Sequence, residues 1–277
     1  MTFYEAKVIN QKIIKSSSLR LVVCGDQYEL YSYAQPYHFN FPPNPRPFGG
    51  QIDDKVIIEA EQQGRRDSNL HACRQRIRRV IDSNAGQYGQ LTKFITLTFK
   101  ENEQNLSRAN KEFGLFIKRL NHRFKLRSRY TAVVEFQKRG AIHYHVLFYN
   151  VPYIESIAPK IQEIWGLGNV DVKAIHHVRN IGQYVTKYLQ KEVFDIRLAG
   201  EKAFFNSKGL KQPIELKHEK SIANFLDKCI LEGIASKTYR STYYGDITYQ
   251  TGYITKKIQQ NEITRNNQSI IFEEQIF

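Results

Sequence analysis

The sequence predicts an α+β fold built on an antiparallel sheet, and three observations carry that prediction. Between residues 91 and 195 the apolar period switches between strand and helix values. It orders the segments as strand, helix, strand, strand, helix, strand, helix. The two central strands are joined by the short loop Gln137–Ala141, whose Gly140 predicts a hairpin. Along each strand apolar and polar residues alternate, as on a sheet with one face turned to a core. This is the ferredoxin-like, split βαβ order, with helices expected on one face of the sheet.

The elements follow in chain order. The first 50 residues read as short strands and loops: Tyr4–Ile9 and Leu19–Cys24 are strand-like, and Phe39–Gly50 is an irregular, proline-rich connection. A helix is expected from Asp67, capped by Asp67 or Ser68. Leu70, Cys73, Ile77 and Ile81 recur on it at helical spacing, with arginines on the other face. Asn84–Gly89 reads as a loop. Phe94–Lys100 is a strand, with Thr96 and Thr98 on one face and Ile95, Leu97 and Phe99 on the other. Asn105–Phe124 is a helix whose stripe is Leu106, Ala109, Phe113, Phe116 and Leu120. Tyr130–Phe136 and Ile142–Tyr149 form the hairpin. Ile154–Trp165 is a helix, Asn169–Ile175 a strand and Ile181–Lys191 a further helix. Beyond them, Glu215–Glu232 contains a helix presenting Ile222, Phe225, Leu226 and Ile230, and Thr242–Ile254 is strand-like. The polar C-terminal residues are expected to be mobile. Three regions result: 1–90, an N-terminal extension with strands and an arginine-rich helix, packed on the core; 91–195, the core; and 196–277, a C-terminal extension.

Composition narrows the function. The 277 residues include 41 Lys+Arg against 27 Asp+Glu, a net charge of +14, and 13% are aromatic. A basic, aromatic-rich chain points to a polyanionic partner, nucleic acid above all. No apolar run approaches the length of a membrane span, and the N-terminus lacks the apolar stretch of a secretory signal. Cys24, Cys73 and Cys229 are too few and too scattered for a disulfide framework or a Cys-based zinc site, which fits a reducing cytoplasm. Much of the positive charge is in two clusters, Gly64–Arg79 and Lys118–Arg129, on either side of an apolar strand, which favours a binding surface.

The sharpest chemical signal is the run from Glu135 to His145. His143 and His145 share one face of their strand, and Ile142, Tyr144, Val146 and Phe148 share the other, so the histidines should face open sheet. A hairpin centred on Arg139 pairs Phe136 with Ile142 and Glu135 with His143. Opposed residues lie on the same face, so Glu135, His143 and His145 converge. Two imidazoles and a carboxylate with open positions suit a divalent metal. A slip of one residue would send Glu135 to the other face. A second signal is Tyr184–Tyr188. The two tyrosines are one helical turn apart, and Lys187 adjoins their face. Tyrosines at that spacing commonly serve as core aromatics. With an ammonium beside them to favour the phenolate, they also suit nucleophilic catalysis.

Taken together, Phe94-Ile95-Thr96-Leu97-Thr98-Phe99, His143-Tyr144-His145 and Tyr184-Val185-Thr186-Lys187-Tyr188 resemble the three ordered motifs of HUH endonucleases. Among these the chain looks like a two-tyrosine rolling-circle replication initiator (Rep) of phage and plasmid type, over about Phe94 to Glu192. The resemblance implies a nuclease that cuts one strand of origin DNA, single-stranded or extruded, and rejoins it. It implies Mg²⁺ or Mn²⁺ on His143, His145 and Glu135. It implies attack by Tyr184 to give a 5′-phosphotyrosine link and a free 3′-hydroxyl, a second transfer by Tyr188, and Lys187 near the phosphate or the metal. Phosphate and strand contacts are expected from Arg74, Arg78, Arg79, Lys118, Arg119, Arg123, Lys138, Arg139, Thr96 and Thr98. No Walker-type loop occurs, so a host helicase, with a host polymerase, is the expected partner in a bacterial cytoplasm. Two alternatives stand beside this reading: an HUH transposase or relaxase, and a non-catalytic protein that binds single-stranded nucleic acid.

Overall fold

The computed structural model describes residues 7–9, 12–39, 71–89, 92–137, 139–152, 157–175, 178–188, 204–241 and 243–257. The expected connection at 40–50, the expected caps Asp67 and Ser68, and the C-terminal tail lie outside them. By backbone proximity the chain divides into two units, Met1–Gly49 with Ile214–Phe277, and Gly50–Pro213. The boundaries expected at 90 and 195 both fall within the second unit, and the two ends of the chain share the first.

The first unit is a six-stranded antiparallel sheet. Strands β1 (Lys7–Ile9), β2 (Lys12–Cys24) and β3 (Gln27–Phe39) are followed, in sheet order, by β11 (Gly245–Lys257) and β10 (Cys229–Ser241), while β9 (Ile214–Leu216) pairs with β2. Helix α5 (Glu219–Leu226) buries Ile222 against Leu21, Val23, Tyr28 and Ile254. Alternate residues on the other face, Val22, Cys24, Tyr31 and Ile247, form a second small core. Ile230, expected on a helix, lies in β10 instead. The helix stops at Leu226, and the chain then turns into a strand that pairs along its length with β11. The expected short N-terminal strands are 13-residue strands in β2 and β3.

The second unit holds the other antiparallel sheet. Its strands are β4 (Lys93–Thr98), β5 (Tyr130–Phe136), β6 (Ile142–Phe148), β7 (Val170–Ala174) and β8 (Phe204–Asn206). They lie in the order β7-β4-β6-β5-β8. Helix α2 (Leu106–Phe124) starts where the Asn105 side chain accepts the backbone N–H of Arg108, and ends at Lys125 in the left-handed region, φ 49°. Its stripe Ala109, Phe113, Phe116 and Leu120 is the buried one. With Ile161 and Trp165 of α3 (Ile157–Trp165) it packs on Ile95, Leu97, Val134, Tyr144, Val146 and Phe148. Burying each large apolar side chain contributes about 1.5–3 kcal/mol.

Helices on one face only were expected, and the structure differs. Helix α1 (residues 71–84) and helix α4 (Ile181–Tyr188) cover the other face. Ile77, Val80, Ile81 and Val185 pack there against Phe94, Val133, Leu147 and Tyr149. The physical reason is in the strands. The histidine face carries apolar residues at one end, and those residues need cover.

Candidate active site

The hairpin sets the site. Gln137 N–H donates to Ala141 O at 2.9 Å, and Gly140 N–H to Gln137 O at 2.7 Å. Gly140 takes φ +88°, which a residue with a Cβ adopts only under strain. The tight turn fixes the register at Phe136 opposite Ile142 and Glu135 opposite His143, the pairing that a loop centred on Arg139 predicts. On the far side, β4 pairs Thr98 with His143 and Thr96 with His145. Glu135, His143, His145, Thr96 and Thr98 therefore share one face of three adjacent strands. Tyr144 points the other way, fully buried, stacked on Phe113 at 4.7 Å, with its hydroxyl donating to Asn110 Oδ1 at 2.7 Å.

His145 is held on every side. Its ring stacks on buried Phe94 at 5.7 Å, its Nδ1 is bonded to the Thr96 hydroxyl at 3.1 Å, and its Nε2 meets the Glu135 carboxylate. His143 is 7% exposed, and its Nε2 is buried without a hydrogen-bond partner among the described residues. Burial pushes the His143 imidazole below its ordinary value. Glu135 opposes that shift, while His145 and Arg139 add to it. A neutral imidazole with an orphaned nitrogen, beside a second imidazole and a carboxylate, fits a divalent ion by donor chemistry. Among the described residues no three such side chains already stand in a metal-ligand cluster, because Glu135 and His145 close on each other. The support behind the histidine fits as well. The Thr96 bond to Nδ1 leaves Nε2 as the nitrogen turned to the carboxylate.

The tyrosine helix packs over this same face. Val185 is 2% exposed in the core that includes Phe94 and Leu147, and half-buried Tyr184 packs against that core. Asn180 accepts Gln183 N–H at 2.7 Å to cap the helix, and Asp82 of α1 accepts Gly182 N–H at 2.8 Å. The side chains of Lys187 and Tyr188, and all of Lys138, lie outside the described residues.

The basic residues separate. Arg74, Arg78 and Arg79 are half-buried on α1, on the histidine side of the sheet. Lys118, Arg119 and Arg123 are on α2, on the opposite side, so the two clusters do not form one surface. Arg119 is engaged within the fold: its Nε and Nη2 donate to the carbonyls of Ile164 and Trp165, at 2.9 and 3.2 Å, closing the end of α3. A cleft of about 670 Å³ lies there, lined by Lys118, His122, Arg123, Glu163 and Trp165, away from the histidines. Arg139 is exposed in the hairpin loop, with its Nε donating to Gln137 Oε1 at 3.1 Å.

Two carboxylates escape the sequence reading. Asp171 on β7 pairs with Thr96 and so shares the histidine face, at its rim. The signal was present in the alternation Val170-Asp171-Val172, whose valines pack against the opposite core. Asp82 gives no local signal, since its partner is 100 positions away.

Among the described residues no helix is long and apolar enough to cross a membrane. No curated protein and no solved structure matches the chain at a significant level. Residues 92–193, which run from the start of β4 through the tyrosine helix, match the family model of the ORF2 type of replication-associated protein.

Proposed function

We propose that the chain is a rolling-circle replication initiator that nicks and rejoins one strand of DNA by transesterification. The observation that carries this reading is the shared sheet face. Glu135, His143 and His145 stand on it in register, and the helix bearing Tyr184 packs over it. The family match over residues 92–193 supports the assignment to replication.

In this reading the Tyr184 Oη attacks the phosphorus of an unpaired strand. The bond from phosphorus to the 3′ oxygen breaks as the bond to tyrosine forms. The proton lost by the phenol balances the one gained by the departing 3′ hydroxyl, and the 5′ phosphate stays on the protein. Lys187, one helical turn from Tyr184, favours the phenolate. Tyr188 accepts the strand in the second transfer. His143, His145 and Glu135 hold Mg²⁺ or Mn²⁺, which when bound polarises a phosphate oxygen and stabilises the charge that builds there. Arg74, Arg78 and Arg79 grip phosphates on the histidine side, with Thr96 and Thr98 beneath the strand. Phosphoester energy is conserved, so joining needs no nucleotide. Unwinding and synthesis fall to a host helicase and polymerase.

The test incubates the chain with single-stranded oligonucleotides from the element that encodes it, in Mn²⁺ or in EDTA. A denaturing gel then reads covalent protein–DNA bands. A band in Mn²⁺ that is lost in EDTA and in Tyr184→Phe is expected. Retarded DNA in a native gel, with no covalent band and no effect of EDTA, would make the chain a binding module instead.

A further inference from the structure

We propose that Asp82 is a positioning residue for the nucleophile, its buried carboxylate anchoring the first turn of the helix that carries Tyr184. The inference rests on the nuclease reading above and extends it to a residue outside the three motifs.

Asp82 lies in the last turn of α1 and is 5% exposed. A buried carboxylate needs a compensating partner, and one is the backbone N–H of Gly182, at 2.8 Å from Oδ1. Gly182 is the second residue of α4, where a helix leaves its N–H groups without intrahelical acceptors. A helix N-terminus also carries partial positive charge, which a carboxylate complements. The neighbouring orphan, Gln183 N–H, is taken locally by Asn180 at 2.7 Å. The first turn is thus tied once to its own chain segment and once to a different helix.

The glycine is what lets the carboxylate in. A Cβ at position 182 would collide with Asp82 Oδ1, and its three nearest atoms would all belong to the Asp82 carboxyl group. Position 182 and position 82 are therefore fitted to each other. Helix α1 is itself fixed on the sheet by Ile77, Val80 and Ile81, beside Phe94, which stacks on His145. A continuous set of contacts runs from the histidine strand through α1 and Asp82 to Gly182. Tyr184 stands only two residues further, about 3 Å along the helix axis. A small tilt of this turn displaces the phenol, and a displacement near 1 Å costs a reacting group up to about 100-fold in rate.

The role is tested on the full chain by measuring three quantities. They are the single-turnover rate of covalent adduct formation in Mn²⁺, the dissociation constant for the same single strand in EDTA, and amide exchange over residues 181–188. In Asp82→Ala the adduct rate is expected to fall on the order of 10- to 100-fold. Strand affinity stays within about threefold, and exchange over 181–188 rises. Asp82→Asn keeps an acceptor oxygen at the same reach and retains most of the rate, which guards against a variant that simply fails to fold. Gly182→Ala slows the wild-type chain but adds nothing in the Asp82→Ala background, where the space has been vacated. An unchanged adduct rate in Asp82→Ala, a parallel loss of strand affinity, or additive losses in the double variant would overturn the positioning role while leaving the nuclease reading intact. A wild-type chain that forms no adduct overturns the nuclease reading and this role with it.

Discussion

Thr96 and His145 are bonded across neighbouring strands, with the hydroxyl 3.1 Å from Nδ1. That bond settles which imidazole nitrogen is left to face Glu135. Threonine at this position is therefore more than a β-branched residue on a half-buried strand, because it orients the ring.

Thr96→Val keeps the shape of the side chain and deletes the hydroxyl. The Mn²⁺ concentration for half-maximal adduct formation is expected to rise about 10- to 100-fold. Adduct yield measured across a Mn²⁺ titration reads it. An unchanged midpoint would mean that the Thr96 bond does not support a metal ligand.

Glu135 meets His145 and stands opposite His143. Glu135→Gln removes the charge and keeps the volume. Calorimetric titration of Mn²⁺ into the chain without DNA is expected to show affinity at least about tenfold weaker than wild type. Equal affinity would remove Glu135 from the ligand set.

The α2 side of the sheet is core, and Phe116 lies fully buried there against Phe148 and Trp165. Phe116→Ala is expected to lower unfolding stability by about 3–5 kcal/mol in urea. A loss below about 1 kcal/mol would contradict the packing described.

In the first unit the Arg20 Nε lies 2.5 Å from Glu215 Oε1. Burial opposes the charge on Glu215. The Arg20 guanidinium, with Lys217 behind it, outweighs burial and holds the carboxyl below its ordinary value. A depressed carboxyl makes its contribution in full above its unfolded value, about 4.3, and loses it as pH falls through the lower folded value. Glu215→Gln should therefore flatten the pH dependence of the urea midpoint below about pH 4.3 and leave its slope near pH 7 unchanged. Identical profiles for the two chains would contradict this.

Local pattern made much of the second unit legible, and distance hid the rest. Strict alternation and one glycine were enough for β5, β6 and their register, and a continuous stripe with an Asn cap was enough for α2. The pairing of β3 with β11 sets Tyr33 against Ile247, from opposite ends of the chain, and neither segment carries a mark of its partner. The same holds for Asp82 and Gly182. Alternation in β4 and β6 separated their two faces but did not reveal that Phe94 and Leu147, on the histidine face, would draw α1 and α4 over it. Arg119 read as a phosphate contact because its charge is visible in sequence, whereas the two carbonyls it closes are not.

The central claim is a covalent bond to one tyrosine, and the sequence permits a direct reading of it. Trypsin cuts after Arg179 and Lys187, which places Tyr184 in peptide 180–187 and Tyr188 in peptide 188–191. Adducts formed with single-stranded origin DNA in Mn²⁺, digested with nuclease and trypsin, are read by mass spectrometry. A nucleotide-bearing 180–187 after the first cleavage is the predicted result. A modified 188–191 in its place, or no modified peptide at all, would contradict the account.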